Sequence, residues 1–102
     1  MASRTELHDE LIDILGAKNV YYNPPETVKM EYPAIRYSLS GIDHLRANNK
    51  IYKNTNQYLV IVIDEDADSE IHNRILEHFP MCSFGHPYVA DNLYHFPLTL
   101  YY

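Results

Sequence analysis

Apolar residues recur at helical spacing in two stretches of the chain. The first predicted helix starts with the capping pair Ser3 and Glu6 and ends at Gly16. The second follows an acidic turn, 64–68, and ends at Pro80. The apolar face of the first helix carries Leu7, Leu11, Ile14 and Leu15. The predicted buried side of the second carries Ile71, Ile75 and Phe79, with Leu76 adjacent.

Other stretches follow the pattern of β-strands. Residues 33–39 alternate between apolar and polar, which is typical of a half-buried strand. Residues 93–102 carry an apolar stripe at even positions, although Pro97 suggests an edge or a bulge. Shorter strands are predicted before Pro24 and over 81–84.

The run from Tyr58 to Ile63 is apolar at every position, which favours a central strand covered on both faces. A single layer of helices covers only one face of the sheet. We therefore expect either that another subunit covers the second face or, as the simpler alternative, that a few residues of this strand face solvent. A charge inserted here, as in Ile61→Asp, is expected to unfold the domain.

The polar stretch from Ser40 to Thr55 has two interpretations. It is longer than an ordinary hairpin loop of about 2–5 residues, which is typical of a functional or floppy connection. It could instead form a projecting hairpin that turns at Asn48 and Asn49. The sequence leaves both open.

Together these elements predict an α+β fold with a mostly antiparallel sheet of about four strands and two helices packed on one face. The chain has 102 residues, 46% of them hydrophobic and 22% charged, so we predict a single domain over 1–102. A core of this size is small, and contacts in an oligomer would add stability.

Charge and composition narrow the class of protein. The net charge of −6 argues against binding to nucleic acid through its phosphates, so we expect no sequence-specific nucleic-acid binding. No apolar run approaches the ~20 residues that cross a bilayer, and no signal peptide is evident. A lone cysteine, Cys82, fits a reducing compartment. We therefore predict a soluble protein that is made in a cytoplasm and binds no membrane.

The best candidate for a metal site is the acidic run Asp64, Asp66 and Asp68, which begins like a calcium loop. That loop needs Gly at its sixth position and Glu at its twelfth, where this chain has Ser69 and Ile75. Helix capping within a solvated turn is the stronger interpretation. The alternative is a metal-dependent hydrolase that uses these carboxylates.

No other constellation predicts catalysis. The six histidines lack the i, i+4 pairing of a helical zinc site, and Cys82 lies in a stretch typical of a core strand. With 3 glycines in the chain, a phosphate-binding loop is not expected. We predict a protein that is not an enzyme, with no catalytic, cofactor-binding or metal-binding residue and no cofactor.

Charge is distributed unevenly along the chain. Four of the eight basic residues lie between 36 and 53, with Asp43 as the one acidic residue there. Residues 64–77 hold six acids against Arg74. Such a subunit can pair head to tail, and a contact of this kind that closes makes a ring. Unrelated solvated patches are the simpler alternative. The basic residues are Arg36, Arg46, Lys50 and Lys53.

Several segments resemble tail-completion, or tail-terminator, proteins of phages and prophages of Gram-positive hosts. The matching segments are Val20-Tyr21-Tyr22-Asn23-Pro24-Pro25 through Tyr32-Pro33-Ala34-Ile35-Arg36-Tyr37, Asn56-Gln57-Tyr58 through Asp64, Asp68-Ser69-Glu70-Ile71, and Ala90-Asp91-Asn92-Leu93-Tyr94-His95 through Tyr102. They span nearly the whole chain in the same order, as a pattern of segments and not as a catalytic motif.

The resemblance implies a structural virion protein at the head-proximal end of the tail. Such proteins assemble as a hexameric ring on the tail tube, stop its polymerisation and present a surface for head–tail joining. The implied partners are further copies of this chain, the tail tube protein and a head-closure or connector protein. The implied locations are the virion tail and, during assembly, the host cytoplasm.

A hypothesis about the interface combines the resemblance with the charge pattern. The segment with Arg46, Lys50 and Lys53 would contact the next subunit or the tube. The turn with Asp64, Asp66 and Asp68 would be the complementary surface. The nearest alternative function is another neck component, such as a head-closure or adaptor protein.

Overall fold

The computed structural model describes residues 4–24, 29–47 and 50–102, with the side chains in those ranges except those of 41–55. The fold is α+β, with two helices and one six-stranded mixed sheet in the described residues. The predicted number of about four strands is too low, because strands of three residues have too few alternating positions to stand out. The elements are α1 (Arg4–Leu15), β1 (Val20–Tyr22), β2 (Ala34–Ala47), β3 (Lys50–Asp64), α2 (Ile71–His78), β4 (Cys82–Phe84), β5 (Tyr88–Ala90) and β6 (Leu93–Tyr101).

Both predicted helices are confirmed. Helix α1 ends before Gly16, whose positive φ of 78° is a conformation that glycine adopts without strain. The predicted cap Ser3 lies outside the described residues. Helix α2 is followed by Phe79, which is buried, and by Pro80.

The sheet has the strand order β1-β2-β3-β6-β4, and β5 also pairs with β6. Strand β1 runs parallel to β2, whereas the other described pairings are antiparallel. Strand β3 lies between β2 and β6, so the all-apolar run is central, as predicted.

The core joins both helices to alternate positions of the sheet, as expected for helices that pack on one sheet face. Burying each large aliphatic side chain contributes about 1.5–3 kcal/mol, so this cluster is the main source of stability. Its members are Leu7, Leu11, Leu15, Ile71, Ile75 and Phe79 with Val20, Ile35, Tyr37, Tyr58, Val60, Val62, Phe96, Leu98 and Leu100.

Pro97 lies inside the sheet, opposite Ile61 of β3. Its carbonyl accepts a hydrogen bond of 2.9 Å from the backbone N–H of Gly85, in the break between β4 and β5. The N and C=O of one strand residue point to the same side, so the missing N–H of Pro97 faces this break. The sheet therefore tolerates Pro97 at this position, even though β6 is not an edge strand along its whole length.

Strands β2 and β3 form a long hairpin that extends beyond the rest of the sheet. Their pairing continues from Ala34 and Ile63 to Ala47 and Lys50. Strand β6 pairs with β3 only over 57–64. Of the two interpretations of 40–55, the projecting hairpin is the one that the backbone adopts, while Asn48 and Asn49 lie outside the described residues.

Candidate assembly interface

The molecule is elongated along the hairpin. Its principal dimensions are 49 × 23 × 23 Å, and its radius of gyration is 14.4 Å against about 13 Å for a compact chain of this length. Strand β3 begins at Lys50 and ends at Asp64, a span of about 46 Å at ~3.3 Å per residue. The two ends of one strand therefore define the two ends of the subunit.

The predicted basic residues lie on the far part of the hairpin. Arg46 pairs with Ile51, and Lys53 pairs with Leu45, while Lys50 starts β3. Their backbone is described, whereas their side chains are not. The structure therefore brings these three residues to one end of the molecule.

The acidic turn lies at the other end, directly after β3. The Asp66 N–H donates to Asp64 Oδ1 at 3.1 Å, and the Asp68 N–H donates to Asp66 Oδ1 at 2.9 Å. Each bond spans two residues, so these aspartates shape consecutive turns. The predicted helix capping is wrong, because Glu70 occupies the N-cap of α2 and makes no side-chain capping bond. The turn is solvated as predicted, with residues 65–68 exposed.

An apolar pocket of about 240 Å³ lies beside this turn. Ala67 of the turn lines it, and Tyr94, another lining residue, stands opposite Asp64 in the pairing of β3 with β6. Val89 is 63% exposed and Tyr88 46% exposed, so these two adjacent residues present a continuous apolar surface at the pocket. The lining residues are Ala67, Pro87, Tyr88, Val89, Tyr94 and Phe96.

The sheet face opposite the core is covered unevenly. Along β3, Leu59 is 38% exposed, Ile61 is half-buried and Ile63 is buried. Within the single chain, Leu59 is therefore open to solvent or to another subunit, which are the two alternatives that the sequence predicts for this face. The prediction that a charge at Ile61 unfolds the domain requires a buried side chain, whereas this side chain is half-buried.

Stacked rings support the wall of the pocket. The His72 imidazole lies parallel to the Phe96 ring, with centroids 4.5 Å apart, and also stacks on Phe84. Burial lowers the pKa of His72 below its usual 6.5, and Glu70 opposes this shift. Its Nδ1 is buried without a hydrogen-bond partner in the described part of the chain. This histidine therefore serves as a packing group between the two phenylalanine rings.

The remaining titratable candidates serve contacts within the fold. Burial raises the pKa of the Cys82 thiol to about 11, and this side chain packs against the core. Glu10 accepts a hydrogen bond from the Tyr102 hydroxyl and pairs with His78 Nε2 at 3.0 Å. The Tyr37 hydroxyl bonds His8 Nδ1 at 2.6 Å.

Among the residues whose placement is described, no group of three His, Cys, Asp or Glu side chains is arranged to hold a metal ion. Asp64 and Asp66 each use a carboxylate oxygen for the turn, as described above. Within the same residues, no helix has the length and apolarity to span a membrane.

The comparisons with known proteins give no family assignment: no protein-family model and no curated protein matches the chain.

Sequence reasoning missed the pocket because it missed β5. The signal was the dipeptide Asp91-Asn92, whose φ angles of 53° and 62° form a two-residue turn between Ala90 and Leu93. Two central residues with positive φ are the mark of the tight hairpin turn that suits twisted strands. Recognising this turn predicts a strand on each side of it and places Tyr88 and Val89 beside β6.

Proposed function

We propose that this protein is a structural subunit of a phage tail, of the tail-terminator type. Copies of the chain form a closed ring, six by the resemblance, at the head-proximal end of the tail tube. The ring ends tube polymerisation and offers a surface to a head-closure or connector protein. On this proposal the protein is not an enzyme and is located in the virion, after assembly in the host cytoplasm.

The observation that carries the proposal is the polarity of the subunit. The basic part of the hairpin and the acidic turn lie at opposite ends of β3, about 46 Å apart. A subunit with complementary ends pairs head to tail, and the contact repeats until a ring closes. An assembly function needs such a surface, whereas catalysis needs convergent groups.

The segments that resemble tail terminators support the proposal through their positions in the fold. The segment 56–64 lies on the central strand β3, and the segment 90–102 holds β6. The first segment covers β1 and the start of β2. The resemblance thus falls on adjacent strands of one sheet, which is where a shared fold would be encoded.

Exposed apolar groups also favour assembly. Leu59 and Val89 are large apolar residues with 38% and 63% of their surface exposed. Burying apolar surface contributes about 25 cal/mol per Å². A contact with a second copy or a tube subunit that covers these two side chains would therefore stabilise the assembly.

On this proposal the same gene cluster encodes a tail tube protein, and the test uses that protein in purified form. Purified wild-type chain is added during tube polymerisation, and tube length and tube ends are measured by negative-stain electron microscopy. The expected result is shorter tubes with a ring at one end. Tubes of unchanged length and without rings would overturn the proposal.

The same preparation separates the nearest alternative. A head-closure or adaptor protein would bind isolated portal-side rings and leave tube growth unchanged. A chain that carries Lys50→Glu and Lys53→Glu is the assembly-deficient comparison. A chain that carries Lys18→Glu and Lys29→Glu, both exposed positions, changes the net charge equally and is the matched control.

A further inference from the structure

The pocket beside the acidic turn has the chemistry of a docking site. Its lining is apolar, with Tyr88 and Val89 strongly exposed. Its rim includes the turn 64–68, where four of five residues are acidic. An occupant that suits this surface carries apolar side chains together with positive charge.

One segment of this chain has that composition. From His44 to Ile63 there is no acidic residue, and the outer part of the hairpin combines basic with apolar residues. Those residues are Leu45, Arg46, Lys50, Ile51, Tyr52 and Lys53. The hairpin and the pocket region are therefore complementary in charge and in apolar character.

The occupant must come from another molecule. Lys50 starts β3 and Asp64 ends it, so a strand of 15 residues, about 46 Å long, separates the hairpin end from the pocket of the same chain. We infer that the pocket lined by Tyr88, Val89 and Tyr94 receives the basic end of the β2–β3 hairpin from a second copy. This inference rests on the proposed function and names its contact.

The contact permits two closed arrangements. Head-to-tail repetition gives a ring, whereas two antiparallel copies that exchange hairpins give a dimer. Both arrangements place the hairpin in the pocket, so the docking contact can be correct even if no ring forms. Conversely, a ring can form through a different contact. The experiment therefore reads the contact itself, and the mass of the assembly is read separately.

The test is disulfide cross-linking between separately purified variants, both with Cys82→Ala. One variant carries Lys53→Cys and the other Val89→Cys. Because each chain then has one cysteine, a disulfide between them joins two molecules. The control replaces Val89→Cys with Asp13→Cys, an exposed position on α1.

The expected result is a covalent dimer of the Lys53 and Val89 variants that forms at least about tenfold faster than with the Asp13 control. Equal rates for the two pairs would overturn the inference. An assembly of ring mass that cross-links equally with both would overturn the contact and leave the proposed function standing. A cross-linked dimer whose native, non-covalent mass never exceeds two copies would support the contact and contradict the ring.

A second variant covers the case in which cysteines perturb the hairpin. Val89→Arg places a positive charge in the pocket without removing a buried group. It should raise the dissociation constant of self-association at least about tenfold. Met81→Arg, at an apolar residue that is 42% exposed and directly precedes β4, should leave this dissociation constant unchanged. Equal effects of the two substitutions would contradict docking in the pocket.

Discussion

Lys50 and Asp64 are the first and last residues of one continuous strand, β3, and so lie at opposite ends of the molecule. Basic residues cluster around the first and acidic residues follow the second. A strand whose ends carry opposite charge gives the subunit a direction. That direction is the physical basis of the proposed head-to-tail assembly.

Charge reversal on the hairpin should weaken assembly and leave the fold intact. The double variant Lys50→Glu and Lys53→Glu is expected to raise the dissociation constant of self-association at least about tenfold, because it places acids against an acidic turn. Analytical ultracentrifugation measures the association, and circular dichroism measures the fold. Adding Glu65→Lys and Asp68→Lys to this variant should restore self-association. The carboxylates that accept the turn hydrogen bonds belong to Asp64 and Asp66, so these two substitutions leave those bonds in place.

The matched control for that rescue is Asp9→Lys with Asp13→Lys, two exposed positions on α1. It makes the same change in net charge without placing bases at the acidic turn. Restoration by the control to the same extent would show that net charge, and not the pairing of the two ends, determines association. The wild-type association should also weaken as salt rises from 0.05 M to about 0.5 M.

Substitutions at neighbouring positions of β3 should separate folding from assembly. Val60 is fully buried in the core, so Val60→Asp should unfold the domain, whose total stability is about 5–15 kcal/mol. Ile61 is half-buried on the opposite face, so Ile61→Asp should cost about 1–2 kcal/mol and leave a folded chain. Urea denaturation measures the free energy of unfolding of both variants. Equal losses of this free energy would contradict the difference in burial between the two faces of β3.

Acidification should destabilise the fold through His72. The folded-state pKa lies below its ordinary value of 6.5, so the unfolded chain binds the proton first. The stability contributed by this residue is fully present above pH 6.5 and is lost as the pH falls towards the folded-state pKa. His72→Phe keeps a stacking ring, so its urea midpoint should fall less than that of wild type between pH 7.5 and 5.5. An equal fall would contradict this assignment.

Glu10 should contribute stability over a lower pH range. The Tyr102 hydroxyl, which donates to this carboxylate, holds its pKa below the ordinary 4.5, with a smaller contribution from His78. The contribution is therefore present above pH 4.5 and is lost as the pH falls through the folded-state pKa. Because the side chains of Glu10 and His78 are 37% and 46% exposed, Glu10→Gln should cost less than about 1 kcal/mol at pH 7. Thermal unfolding at pH 7 and pH 3.5 measures this; a larger difference between variant and wild type at pH 3.5 would contradict it.

The helices were predictable because apolar residues repeat at helical spacing, and the central strand because its run is apolar at every position. Ile71 and Ile75 recur at helical spacing, and both are buried, as predicted. In β3 the pattern was less informative. Leu59 and Val60 look alike in sequence, yet one faces solvent and the other the core, because helices cover a single face.

The pocket was not predictable from periodicity. It depends on a three-residue strand, β5, and on the pairing that sets Asp64 opposite Tyr94. Such long-range pairings leave no local spacing in the sequence. The one local signal was the turn at Asp91 and Asn92, where both φ angles are positive. The signal is weak in the sequence, because Asp and Asn tolerate positive φ angles without requiring them.

The most direct test of the central claim is the mass of the assembled protein. Native mass spectrometry of the wild-type chain at low ionic strength, alone and after release from tail tubes, should give a closed species of six copies. Six copies of the 12.0 kDa chain have a mass of about 72 kDa. A 12.0 kDa monomer under both conditions would contradict the account.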